Sequence, residues 1–369
     1  MIRSVIRKER LFTPGPTPVP PFVTAAMARA VVFHHRHPEF REIWQRVCEG
    51  LPSLWGVSEP VVLLVGSGTA GMEALVANLF EPGEKVLVGS IGKFGERWVE
   101  IARQWGLDVV AVERPYGYAL SADGVEAALA AHPDAAGFLM QACETSTGVE
   151  NPLGQMAEVF AGRSVLWVVD AISGMGTMPI EVVAWGIDGL VTASQKAWML
   201  PPGLAMVYLS PRAWEKARRV RTRPYYLDLV RLRGAQEAGD SAFTPAIPLV
   251  VALGEVIDYI RRLGGLESLV QNSRQLAEYC RRRLTQGGWT LFAREHPAGA
   301  LTAVEVPPGL DGGLWVRKLR EDYGLIVAGG QGSLKGRIFR VSHMGYVDLA
   351  DLAGLMACLE EAYRALAPR

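Results

Sequence analysis

Seven short apolar runs, each closed by polar residues or glycine, constrain this chain more than any other feature. They fall at about residues 61–65, 85–88, 107–112, 136–142, 165–169, 187–193 and 204–209, with helical patterning between most of them. Runs with no polar alternate face suit strands buried on both sides. Strands alternating with helices build an α/β fold with a mostly parallel sheet. In open sheets of that kind ligands gather at the carboxyl ends of the strands, so the residues that close each run matter most.

Two closures carry charge. The run Ser164-Val-Leu-Trp-Val-Val-Asp170 ends in an aspartate, and 187–193 leads into Ser194-Gln195-Lys196, then Ala197-Trp198-Met199-Leu200. Six of the seven lysines sit in turns, beside glycines, on charged helices or in the basic leader; Lys196 alone has apolar neighbours. A charge is rarely left in such company unless it is paired or used. Desolvation lowers a lysine pKa and makes the amine a nucleophile for a carbonyl. A carboxylate and a desolvated lysine on neighbouring strand ends suit pyridoxal 5'-phosphate (PLP): the lysine makes the Schiff base and the aspartate pairs with the pyridinium nitrogen. A structural Asp–Lys ion pair is the alternative, and further parts of such a site follow along the chain.

Gly66-Ser67-Gly68-Thr69-Ala70-Gly71 follows the first run at a helix start and spells GxGxxG. That raises a dinucleotide site, but the next strand ends in Gly89-Ser90, with no acidic residue to hold a ribose. What remains is anion binding: backbone N–H groups with the Ser67 and Thr69 hydroxyls suit a single phosphate. Phe94, in Ile91-Gly92-Lys93-Phe94-Gly95, reads either as core or as an aromatic plate on a ring. Glu144-Thr145-Ser146-Thr147-Gly148 closes the run at 136–142, and its hydroxyls either serve a cofactor oxygen or cap a helix.

The proline-rich stretch Leu11–Pro21 can be neither regular helix nor central strand and is expected as an extended arm. Residues 33–40 hold three of the six histidines, without the carboxylate–His helical pattern of a metal site, so no metal is expected. A helix should run from Pro38 through Trp55, and the basic stretch 211–233 reads as a solvated face. Beyond 248 a helix at 249–263 leads to helices near 266–284, 313–323 and 349–366 and strands near 301–306 and 338–342. The expected division is an N-terminal arm (1–20), a large domain (21–248) and a small C-terminal α/β domain (249–369). Thirty-eight basic and 38 acidic residues argue against nucleic acid or an anionic membrane as an obligatory partner. The leader has no apolar h-region and no run reaches the ~18 apolar residues of a membrane span. Four cysteines without CxxC spacing fit a reduced, cytoplasmic protein.

With these pieces in order, the chain resembles the class V aminotransferases of PLP fold type I, in the alanine–glyoxylate and serine–pyruvate group. The resemblance rests on Thr13-Pro14-Gly15-Pro16, His35-Arg36, Gly66-Ser67-Gly68-Thr69, Glu144 to Gly148, Val169-Asp170, Ser194-Gln195-Lys196, Pro201-Pro202-Gly203, Thr244-Pro245 and Gly336 to Arg340. It implies that Ser67, Gly68 and Thr69 hold the phosphate, with Gln195 beside the lysine. Phe94 would stack on the ring, and Thr145 would lie near its phenolic oxygen. Thr244 would reach the phosphate of a partner subunit in a homodimer with shared sites. Arg340 would clamp the substrate α-carboxylate, with Gly15 and Arg36 also in the substrate pocket. The implied reaction is ping-pong transfer from alanine or serine to glyoxylate or pyruvate, with Lys196 moving the proton. Alternatives are an aspartate aminotransferase-like activity, a lyase or desulfurase of the same fold, for which Cys280 and Cys358 sit poorly in helical patterns, and a nicotinamide oxidoreductase resting on the GxGxxG alone.

Overall fold

The computed structural model describes residues 7–29 and 34–366. The start of the basic leader and Phe33 of the histidine-rich stretch lie outside the described residues.

All seven apolar runs are strands of one sheet. In spatial order they are Val62–Gly66, Gly203–Leu209, Gly189–Ala193, Leu166–Asp170, Gly137–Gln141, Lys85–Ser90 and Asp108–Glu113. Six run parallel, and Gly203–Leu209 is antiparallel to both neighbours. Alternate residues feed two cores. Trp167 and Val169 join one apolar cluster on one face, whereas Leu166 and Val168 join another on the opposite face. Both faces are therefore covered, which is why these runs lack a polar alternate.

The second cluster includes Met72, Leu75 and Val76 of the helix Gly68–Leu79. Asp170 follows Val168 by two positions and points to that same face. The register pairs Gln141 with Asp170 and Asp170 with Val191, so these strand ends meet at one edge, near the start of that helix.

A second layer holds the antiparallel strands Leu301–Glu305, Ile338–Ser342 and Ala328–Gly329 with the helices Leu266–Gln286, Gly312–Tyr323 and Leu349–Leu366. It has its own core around Trp289, Trp315 and Phe339. The helix Ile247–Leu263 packs instead on Pro21–Arg29 and Pro38–Trp55, burying Val250, Leu253 and Ile257 in the large core.

The arm is extended and anchored at both ends. Arg10–Leu11 pairs in parallel with Leu325–Ile326, Phe12 is buried, and Ser342 N–H donates to its carbonyl at 2.8 Å. A few residues on, Thr17 N–H donates to the Gln195 carbonyl (3.1 Å) and the Thr17 hydroxyl to the Lys196 carbonyl (2.8 Å). The basic stretch 211–233 is less solvated than its composition suggests: Arg212 pairs with Asp188, Lys216 with Glu84 and Arg233 with Glu59. No helix of the described residues is long and apolar enough to cross a membrane.

Candidate active site

The turn after Gly189–Ala193 is pinned by Ser194, whose hydroxyl donates to the Pro201 carbonyl (2.7 Å) and accepts from Leu204 N–H (3.1 Å). Met199 N–H closes on the Lys196 carbonyl at 3.0 Å, with Met199 itself in the left-handed region at φ 56°. Trp198 is buried and donates to the Thr192 hydroxyl at 3.3 Å. This fixed turn aims Lys196 inward, where it is 7% exposed. Its amine donates to the Pro14 carbonyl of the arm, and a Cβ on Gly15 would collide with its side chain.

Asp170 is equally enclosed. It accepts from Ile172 N–H at 2.8 Å. Burial pushes its carboxyl up to about 7 and pushes the Lys196 amine down to about 8, each moderated by the other's charge. Among the described residues no ion pair closes between them, so the purely structural Asp–Lys bridge is not what the fold builds.

Beside them, Ser67 stands in extended conformation ahead of the helix Gly68–Leu79, and its side chain makes no cap hydrogen bond. That leaves the hydroxyl for a ligand at the positive helix end. A side chain at Gly68 would run into Ile172 and Ala193, so only glycine leaves the backbone open there. The Gln195 and Gln141 amides each carry a buried oxygen with no partner. Hydroxyl and backbone donors, a desolvated amine and an under-partnered carboxyl suit a molecule with a phosphate, an aldehyde and a pyridine nitrogen. The donor set fits PLP.

Glu144 ties the next parts together. Fully buried, it accepts from Phe94 N–H (3.0 Å), Gly95 N–H (3.2 Å), Ser146 N–H (3.1 Å) and the Ser146 hydroxyl (2.6 Å). Burial raises its pKa against these bonds. The same carboxylate thus fixes the start of Phe94's helix and the loop that carries buried Thr145. Arg340 crosses from the small sheet to that loop: Nη1 donates to the Thr145 carbonyl (2.8 Å), while Nε and Nη2 share the Gly329 carbonyl (3.0 and 2.7 Å). At 5% exposure it is a buried cation bonded to carbonyls rather than to a carboxylate, and burial lowers its pKa to about 10.

Two expected residues stand apart in this chain. Arg36 is exposed, with its N–H on His34 Nδ1, and Thr244 is exposed beside Val65, Phe243 and Trp44. Conversely, the sequence shows Pro14 and Glu144 within motifs but gives neither a role, and Arg97 was passed over altogether. Arg97 follows Phe94 by three residues on one helix, a spacing that puts both on one face and could have flagged it. Cys280 is fully buried with its thiol pushed up to about 12, and Cys358 sits on the helix Leu349–Leu366, so neither offers a mobile nucleophile. Among the described residues no group of three or more His, Cys, Asp and Glu is arranged to hold a metal ion.

Comparison with known proteins agrees with this geometry. The Aminotransferase class-V pattern matches residues 11–352. The chain is 36% identical over 357 residues to the soluble hydrogenase 42 kDa subunit of Anabaena cylindrica, covering 96% of this chain and 92% of that protein. Among solved structures, an aspartate aminotransferase of subgroup IV from Thermus thermophilus aligns with a TM-score of 0.90 at 35% identity, covering 97% of this chain and 100% of that one. An alanine–glyoxylate aminotransferase from Nostoc sp. aligns at 0.92 and 32% identity, over 99% and 97% of the two chains. The chain belongs to the class V aminotransferases, enzymes of the PLP-dependent fold represented by these structures.

Proposed function

We propose that the enzyme moves the amino group of a small amino acid, alanine or serine, to glyoxylate or pyruvate in two half-reactions at one site. The observation that carries the transfer between amino and 2-oxo acids is Arg340, a buried guanidinium held by three carbonyl hydrogen bonds with no carboxylate of its own. One N–H on each terminal nitrogen is left over, the arrangement that receives a carboxylate through a fork. When bound, the cofactor supplies an electron sink for breaking the Cα–H bond. Lys196 Nζ, its pKa lowered to about 8, is the group that takes that proton and returns it. Asp170 would stabilise positive charge at the pyridine nitrogen of the bound cofactor, and Glu144, which fixes the start of Phe94's helix and the loop of Thr145, would keep both at its site.

Small donors follow from the cations at hand. Lys93, at the start of Phe94's helix, is already paired with Glu96, Arg97 is turned to the Thr69 hydroxyl of the phosphate cradle, and Arg36 is exposed. Aspartate is the second reading, raised by the Thermus relative. Half-reactions with alanine, serine, aspartate and glutamate, followed through the visible absorbance of the bound cofactor, should favour the small donors. A clear preference for aspartate or glutamate that Arg36→Ala erases would show the wrong substrate class was chosen.

We also propose that two chains share their sites, Thr244 reaching the partner's cofactor phosphate. Thr244 lies exposed beside the strand that leads to Ser67, where Val65, Tyr225 and Tyr226 leave apolar surface. Sedimentation of the active enzyme should give a dimer; a fully active monomer would end the shared-site reading.

A further inference from the structure

The groups assigned to the phosphate so far, Ser67, Gly68, Thr69 and Gln195, are all neutral. A phosphate monoester brings a charge of about −1.5 to −2 at neutral pH. We propose that Arg97 supplies the matching charge, binding the cofactor phosphate beside and through Thr69.

Arg97 Nη1 donates to the Thr69 hydroxyl oxygen at 3.1 Å, and its guanidinium carbon lies 4.7 Å from the centre of the Phe94 ring. A threonine hydroxyl has one proton to give and lone pairs to receive with. Arg97 occupies the receiving side, so the Thr69 proton is turned outward, free for a phosphate oxygen. The remaining N–H groups of the fork stay available to the phosphate directly. Lys93, the other cation at the start of this helix, is already paired with Glu96. Among the described residues no carboxylate stands within ion-pair distance of Arg97, whose polar partner is the Thr69 hydroxyl. A half-buried, unpaired guanidinium against a phosphate-cradle hydroxyl is a site for an anion. Its field also reaches Asp170 and Lys196, lowering both, which places it on the cofactor side of the helix Lys93–Gln104.

The test separates the phosphate from the ring. The full-length enzyme, stripped of cofactor, is titrated with pyridoxal 5'-phosphate and with pyridoxal, which lacks the phosphate. Wild type, Arg97→Ala and Arg97→Lys are compared by visible absorbance and protein fluorescence. Arg97→Ala should weaken pyridoxal 5'-phosphate binding by about ten- to a hundred-fold, the range of a lost charge-assisted hydrogen bond. Pyridoxal binding should stay within about two-fold, because it never used the charge. Arg97→Lys should recover part of the loss, since a point charge replaces a fork incompletely. Equal losses for both aldehydes would overturn the proposal and make Arg97 a support for the Phe94 plate. So would an unchanged affinity of Arg97→Ala for pyridoxal 5'-phosphate, which would leave Arg97 no part in binding the phosphate. No amino donor enters the titration, so the result is independent of which donor the enzyme prefers.

Discussion

Asp170 and Asp188 are both buried at the ends of neighbouring strands in the same sheet, at opposite edges, and the chain treats them in opposite ways. Asp188, at the amino edge, accepts from Trp167 N–H (2.8 Å), the Ser210 hydroxyl (2.7 Å) and Arg212 Nε (2.6 Å), and forms an ion pair with Arg212 Nη2. Its lone pairs are met and its charge is matched. Asp170, at the carboxyl edge, has Ile172 N–H at 2.8 Å, and burial drives it up to about 7. Around it the pattern repeats: a lysine on a backbone carbonyl, an arginine on carbonyls and glutamine oxygens with no partner. One edge is a finished structural network and the other is held ready for a ligand. Burial alone does not distinguish them; completeness of partners does.

The sharpest way to break this comparison is to neutralise each aspartate in turn. Asp170→Asn should slow transamination by about two to four orders of magnitude, since the charge that favours a protonated pyridine is gone. A variant within a few-fold of wild type would remove Asp170 from the chemistry.

A smaller effect concerns stability without cofactor. Asp170 titrates near 7 when folded and near 3.8 when unfolded, so the folded state holds a proton that the unfolded chain releases. Its contribution is therefore present below the unfolded value and is lost as pH rises toward 7, by at most roughly 4 kcal/mol. Lys196, lowered to about 8, acts in the opposite sense, with stability returning as pH rises from about 8 to 10.5. Denaturant titrations of cofactor-free wild type and Asp170→Asn between pH 4 and 8 should show the variant gaining relative to wild type as pH rises. A constant difference would mean that Asp170 is not held protonated. Smallest is Asp188→Asn, which should cost about 2 to 3 kcal/mol of unfolding free energy, Arg212 being partly exposed. Its turnover at low temperature should stay near wild type. A turnover loss as large as that of Asp170→Asn would dissolve the distinction between the two edges.

Much of the fold was legible because it is local. The run 187–193 and its closure Ser194-Gln195-Lys196 announce a buried strand and a functional end without knowledge of any neighbour. The antiparallel strand Gly203–Leu209 was legible in principle: only residues 194–202 separate it from its partner, too few for the crossover that a parallel pair requires. The site was less legible where it depends on distant segments. Nothing near Pro14 says that its carbonyl will receive the Lys196 amine. Glu144 draws its donors from Phe94 and Gly95 across the sheet, and Arg97 meets Thr69 from another helix. Those meetings are set by strand order, which periodicity does not encode.

The central claim is that the carboxyl edge of the sheet holds PLP on Lys196. Borohydride reduction of the purified enzyme, followed by proteolysis and mass mapping, tests it directly. The expected result is a phosphopyridoxyl group on the peptide containing Lys196, absent from Lys196→Ala, which should also lose multiple-turnover activity. Label on Lys93 or another lysine, or label retained by Lys196→Ala, would contradict the account.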